Sequence, residues 1–114
     1  MDKFTAIEHV ARAILNLAYD GRNQDAVREA DGIPPLVTLL SFSNGSTALF
    51  AAWALTELSY GNARNEEGIR AVNGGPMLAK VFAEAQRAGY VNSVPQSALG
   101  AGHLIAILLA GLHR

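Results

Sequence analysis

Ala26-Val27-Arg28-Glu29-Ala30-Asp31-Gly32-Ile33-Pro34-Pro35-Leu36-Val37-Thr38-Leu39-Leu40 decides how this chain folds. The stretch reads as one short helix, a break and a restart. Val27 and Ala30 are apolar points of a helix over residues 24–30. Asp31-Gly32 ends it, with Gly32 expected to take the left-handed cap conformation. Proline suits a first helical turn and not an interior, so a second helix starts near Pro35 and stops by Phe42. Neither piece alternates with the period of two that a strand requires.

Outward from this block the helical period continues. Upstream, residues 4–19 repeat apolar side chains at three and four, and Ala6, Ile7, Val10, Ala13, Ile14 and Leu17 fall on one face, read here as the buried one. Asp20-Gly21-Arg22-Asn23 breaks that helix. Downstream, Ser43-Asn44-Gly45-Ser46 is turn and N-cap chemistry. A longer helix follows over residues 47–60. The order of break, short helix, turn and helix then recurs, with helices over residues 66–72 and 77–88 and a last one from Pro95 to Leu112. The recurrence is visible residue by residue. Val10 to Ala18 aligns with Ala51 to Ser59 at an offset of 41, and Asn23 to Leu36 aligns with Asn65 to Leu78 at an offset of 42. Under the second alignment Arg28 matches Arg70, Gly32 matches Gly74 and Pro34 matches Pro76. A period of about 40–47 residues built from two or three helices is that of the HEAT and armadillo repeats.

The 26–40 block resembles the armadillo signature for helices one and two, and Ala51-Ala52-Trp53-Ala54-Leu55-Thr56-Glu57-Leu58 resembles its third helix. The resemblance covers almost the whole chain. It implies an all-α, right-handed α-solenoid of three-helix repeats. Residues 1–19 are then the third helix of a partial repeat, 20–60 a full repeat, and 61–114 another with a longer connection between its second and third helices. Residues 85–97 depart from the family pattern. The resemblance further implies a protein-binding scaffold rather than an enzyme, with no cofactor.

In peptide-binding armadillo proteins, a Trp and an Asn four residues apart on the third helix line a concave face. Matched positions here are Trp53 and Glu57 in the full repeat, and Arg12 and Asn16, with Glu8 one turn earlier, in the first helix. In the last helix the register falls on Gly102 and Ala106 or on His103 and Ile107. The ladder is eroded, with one Trp and one Asn in different repeats. Arg12 would repel a basic peptide. Glu57 would attract a single Lys or Arg, and a single exposed pair contributes well under about 1 kcal/mol. Periodicity agrees that Ala48, Ala51, Ala52, Leu55 and Leu58 form a buried stripe with Trp53 and Glu57 on the far side. A large aromatic there is either an interface hot spot or packing against a neighbouring element.

Composition narrows the function classes. Half of the 114 residues are apolar and the net charge is −1, so no overall field favours nucleic acid or an anionic membrane. The chain has no cysteine, which removes disulfides, thiolate zinc sites and cysteine nucleophiles. His9, His103 and His113 lack a ligand partner one helical turn away. Asp20, Asp25, Asp31, Glu66 and Glu67 stand at helix starts or loops, where carboxylates stabilise caps. No phosphate-binding glycine loop and no Ser-His-Asp order stands out. Arg64, Arg70, Lys80 and Arg87 read as a solvated convex face. The N-terminus lacks the uninterrupted apolar region of a secretory signal, and a cytoplasmic protein, with the nucleus as an alternative, is expected.

The last helix is the anomaly. Terminal solenoid repeats usually turn a polar face outward, whereas Leu99, Leu104, Ile105, Ile107, Leu108, Leu109 and Leu112 go most of the way round it. Excision from a longer array, self-association, or an exposed patch for a membrane or partner would each account for it. Because the chain starts with Met and ends without an obvious truncation, the expectation is a homo-oligomer formed through Leu104, Ile105, Leu108, Leu109 and Leu112. The alternatives are a fragment of a transport-adaptor-like array binding an extended peptide, and a small helical enzyme.

Overall fold

The computed structural model describes residues 3–42 and 45–87. Among them are six helices and no strand: α1 (Lys3–Ala18), α2 (Gly21–Glu29), α3 (Ile33–Leu39), α4 (Gly45–Ser59), α5 (Ala63–Ala71) and α6 (Gly74–Arg87). The expected last helix and the Ser43-Asn44 turn lie outside the described residues.

Two of the helices begin earlier than their apolar pattern does, because a polar residue caps each. The Asp20 carboxylate accepts from the Arg22 backbone N–H, so α2 starts at Gly21. The Asn62 carboxamide oxygen accepts from the Asn65 N–H, so α5 starts at Ala63. In α3, Pro34 and Pro35 occupy the first turn, where their missing N–H groups would have had no intrahelical partner.

The left-handed residue at the end of α2 is Asp31, with φ 58°, and not Gly32; Asn73 repeats this at the end of α5 with the same φ. Short polar side chains tolerate this region best after glycine. The Asp31 N–H donates to Arg28 O at 2.9 Å and the Gly32 N–H to Val27 O at 2.8 Å, so the last carbonyls of α2 are satisfied. The glycine is needed for a different reason. A Cβ on Gly32 would stand 2.6 Å from Val27 Cγ1, and one on Gly74 would stand 2.6 Å from Ile69 Cγ2. Each tight turn folds back on its own short helix.

The core runs along α4. Ala48, Ala51, Ala52, Leu55 and Leu58 are all buried, as their spacing predicts. Around them pack Leu15 and Ala18 of α1, Ile33 and Leu36 of α3, Leu40, Ile69 of α5, and Leu78 and Val81 of α6. Polar α4 side chains are buried too. Thr56 Oγ1 donates to Ala52 O at 2.9 Å and Ser59 Oγ to Leu55 O at 2.8 Å, so these hydroxyls turn back to their own helix.

On α1 the buried stripe differs from the expected one. Ala11, Leu15 and Ala18 are at most 3% exposed, whereas Val10 is 55% and Leu17 54% exposed, and Ala6 and Ala13 are also exposed. Ile7 and Ile14 are half-buried. The side of α1 that counts as inside is fixed by where α4 lies, about 100° round the helix from Val10 and Leu17.

A polar seam joins one repeat to the next. Asn65 is fully buried. Its Nδ2 donates to Leu58 O at 2.6 Å and to Gln24 O at 3.0 Å, and its Oδ1 accepts from Arg28 Nη1 at 3.0 Å. Gln24 Nε2 donates to Glu57 O at 2.8 Å, and Asn62 Nδ2 donates to Asp25 Oδ1 at 3.0 Å. The aligned residue, Asn23, makes one such bond, to Leu17 O at 2.8 Å. A buried carboxamide bonded on both sides ties α2, the end of α4 and the start of α5 into one register.

Candidate functional site

Helices α1 and α4 pack against each other. The five residues read as a binding ladder stand on this pair: Glu8, Arg12 and Asn16 on α1, Trp53 and Glu57 on α4. The structure brings four of them into one small cluster and leaves Asn16 exposed beside it.

At the cluster's centre, Arg12 lays its guanidinium over the Phe50 ring, 4.8 Å from the centroid. Its other partner is Glu8, at 3.6 Å one turn away. Phe50 stacks on Trp53 with centroids 6.5 Å apart and planes inclined by 26°. Tyr19 meets Trp53 edge-on, also at 6.5 Å, with an interplanar angle of 89°. Trp53 is half-buried and packs against the core, and its indole N–H is buried without a hydrogen-bond acceptor in good geometry. Glu57 is 9% exposed, which contrasts with the solvent-facing position its spacing suggested. Burial pushes the Tyr19 hydroxyl upward from its ordinary pKa, and the negative charge of Glu57 adds to that rise.

The reach of Glu57 toward a basic peptide is therefore limited, since its carboxylate is largely covered. What the face presents to solvent is Tyr19, 53% exposed, with Arg12 and Asn16. Sequence reasoning missed Tyr19 and Phe50. The signal was available: Phe50 lies one turn before Trp53, and Tyr19 ends the helix that carries Arg12. It also gave no role to Gln24, Arg28, Asn62 and Asn65, although Asn23 and Asn65 were already aligned. Arg70 is less solvated than expected, since its Nε is buried and its guanidinium pairs with Glu67.

Among the described residues, no group of three His, Asp or Glu side chains could hold a metal ion, and no helix is long and apolar enough to cross a membrane. Residues Leu104, Ile105, Leu108, Leu109 and Leu112 lie outside the described residues.

Short helices stacked in a repeating order around a shared core define a helical-repeat scaffold, a class that works by offering surface rather than by chemistry at a pocket. Residues 22–60, which carry α2 to α4, match the family model of the Armadillo/beta-catenin-like repeat. Over 78 residues, 65% of this chain, the sequence is 39% identical to Catenin delta-1 of Xenopus laevis. The matched stretch spans 9% of that relative's length. No solved structure matches. The chain belongs to the armadillo-repeat family and folds as an all-α armadillo solenoid, and protein partners are what that family points to.

Proposed function

We propose that this chain is a non-catalytic segment of an armadillo array that binds an extended segment of a partner protein along α1 and α4. The observation that carries this is the cluster of Arg12, Tyr19, Phe50 and Trp53 where two successive third helices meet. Aromatic and arginine side chains held rigidly at a shared ridge are the groups that dominate protein-binding hot spots. Asn16 stands beside them with a carboxamide suited to a peptide backbone. The partner segment is poor in Lys and Arg, because Glu57 is covered and Glu8 is paired with Arg12 at 3.6 Å, which leaves the cluster no unpaired exposed carboxylate to draw a basic side chain. Division into a partial repeat (1–19) and two full repeats (20–60 and 61–114) fits this reading, as does a place in the cytoplasm or nucleus.

Selection from a random peptide library on the full chain tests it, with the single Trp53 as the optical probe for the unaltered chain and the anisotropy of a dye-labelled peptide as the readout for the variants. Enriched peptides should be extended, poor in Lys and Arg, and should change Trp53 fluorescence on binding. Arg12→Ala and Trp53→Ala should each weaken them roughly 5- to 30-fold, the range of a 1–2 kcal/mol hot spot. Enrichment of basic peptides, or binding untouched by both substitutions, contradicts the reading. Self-association through Leu104, Ile105, Leu108, Leu109 and Leu112 rests on sequence alone. Light scattering on the chain at tens of micromolar decides it, and a clean monomer ends it.

A further inference from the structure

Internal similarity lets each residue of α1 be compared with its counterpart on α4. At the offset of 41, Val10 answers to Ala51, Ala13 to Ala54 and Leu17 to Leu58. All three α4 residues are 0% exposed, in the core against which α3 packs. Their α1 counterparts are open, Val10 at 55% and Leu17 at 54%. In the full repeat this side of the third helix belongs to the second helix of the same repeat. On α1 the same side is unclad.

Val10 of that open side also lines a shaped recess. A cavity of about 280 Å³ lies between α1 and α3, lined by Ile7, Val10 and Ile14 on one wall and by Pro35, Leu36 and Leu39 on the other, with Ala6 at its edge. No polar side chain lines it. One repeat along, α3 packs on α4. Val37 of α3 there reaches the start of α6, where a Cβ on Gly74 would stand 3.1 Å from its Cγ2. The face of α1 turned to α4 carries Ala11, Leu15 and Ala18 and is already used. What the recess lacks is therefore a helix of the α3 kind, and not another third helix.

We propose that the α1–α3 cleft is the seat of the second helix of an armadillo repeat standing before α1 in a longer array. The occupant is a short helix opened by proline, with branched apolar residues at the spacing of Ile33, Leu36 and Leu40. The proposal rests on the array reading above and adds the surface by which this segment joins its neighbour. A chain matching 9% of its relative's length, with one end of its stack unclad, fits that position.

A synthetic peptide of residues 20–42 supplies the probe, since it carries the α2–α3 pair that clads α4. Added to the isotopically labelled full chain, it should shift the methyl signals of Ile7, Val10, Ile14, Leu17 and Leu39 and saturate. Val10→Asp should weaken it at least 10-fold. Because Val10 is half exposed that variant keeps its helical circular dichroism, and Val10→Leu should retain binding. Shifts confined to other residues, no saturation, or equal affinity in Val10→Asp overturns the seat. A dimer of the chain alone that Val10→Asp dissolves assigns the cleft to a second copy and overturns it too. An antibody against the chain, used on extract of the source cells, tests the array separately. A band well above 12.0 kDa supports it. A band at that mass ends the array reading and the in-line position of the occupant, whatever the peptide does. A failed titration with a larger band overturns the seat alone.

Discussion

Helices α1 and α4 align with each other at an offset of 41 residues, yet α4 is covered on nearly every side and α1 on one. Leu58 is 0% exposed and its counterpart Leu17 is 54% exposed. Even the polar positions follow this rule, since Thr56 and Ser59 are buried in α4 and satisfied by their own backbone. The difference lies in the neighbours. α4 has α1 on one side and α3, α5 and α6 around it, whereas α1 has α4 and little else. A repeat protein distributes burial by position in the stack, so an apolar face does not identify its own partner.

The sharpest test of that contrast is a matched truncation. Leu58→Ala removes a fully buried side chain and should cost about 2–5 kcal/mol. Leu17→Ala should cost under about 1 kcal/mol, because half of that side chain is already in water. Urea melts of the two variants measure the gap, and equal costs would break the comparison. The next pair is carboxamide against carboxamide. Asn65→Ala leaves Leu58 O, Gln24 O and Arg28 short of a partner and should cost about 2–3 kcal/mol. Asn23→Ala gives up one bond at the end of α1 and should cost about 1 kcal/mol or less.

Smaller effects sharpen the account of the turns. Gly32→Ala puts a Cβ 2.6 Å from Val27 Cγ1 and 3.0 Å from Val27 O, and should cost about 1–2 kcal/mol. Gly21→Ala meets nothing within 4 Å and should leave the urea midpoint unchanged or slightly raised. If both behave alike, close approach is not what the turn glycine serves. The smallest effect is with acid. The Asp25 carboxyl is held below its usual pKa by the hydrogen bond from Asn62 and then by Arg28. A lowered folded-state pKa gives stability that is present above the unfolded pKa of about 4 and fades as pH falls through the lower value. Asp25→Asn should therefore flatten the melting temperature between about pH 5 and pH 2, measured at constant salt.

How much was legible beforehand differs from element to element. The α4 stripe of Ala48, Ala51, Ala52, Leu55 and Leu58 was readable because α4 is covered on most sides and this stripe faces its neighbours, with Phe50 and Trp53 left half-buried at the margin. The α1 stripe was misplaced for the opposite reason. Its apolar residues span two faces, and periodicity cannot say which of the two meets a neighbour. Turn glycines were legible as breaks, but Gly32 was expected to serve through φ, whereas packing against Val27, and against Ile69 at Gly74, is what excludes a side chain. At the candidate site, the resemblance pointed to Glu8, Arg12, Asn16, Trp53 and Glu57. It could not find the contact of Arg12 with Phe50 or the burial of Glu57, since both arise from where two helices 41 residues apart in sequence come to lie.

By itself, the sequence determined the helical period, the repeat, the breaks that divide one short helix from the next, and with them the armadillo family. Those properties are local, written in residues within a turn or two of each other and in their recurrence. Only the tertiary structure decided which face of each helix is covered, that Asn65 locks one repeat to the next, and that a cleft stands open between α1 and α3. Burial and hydrogen-bond satisfaction depend on what the surrounding helices bring to a surface. No stretch of chain carries that information about its own neighbours.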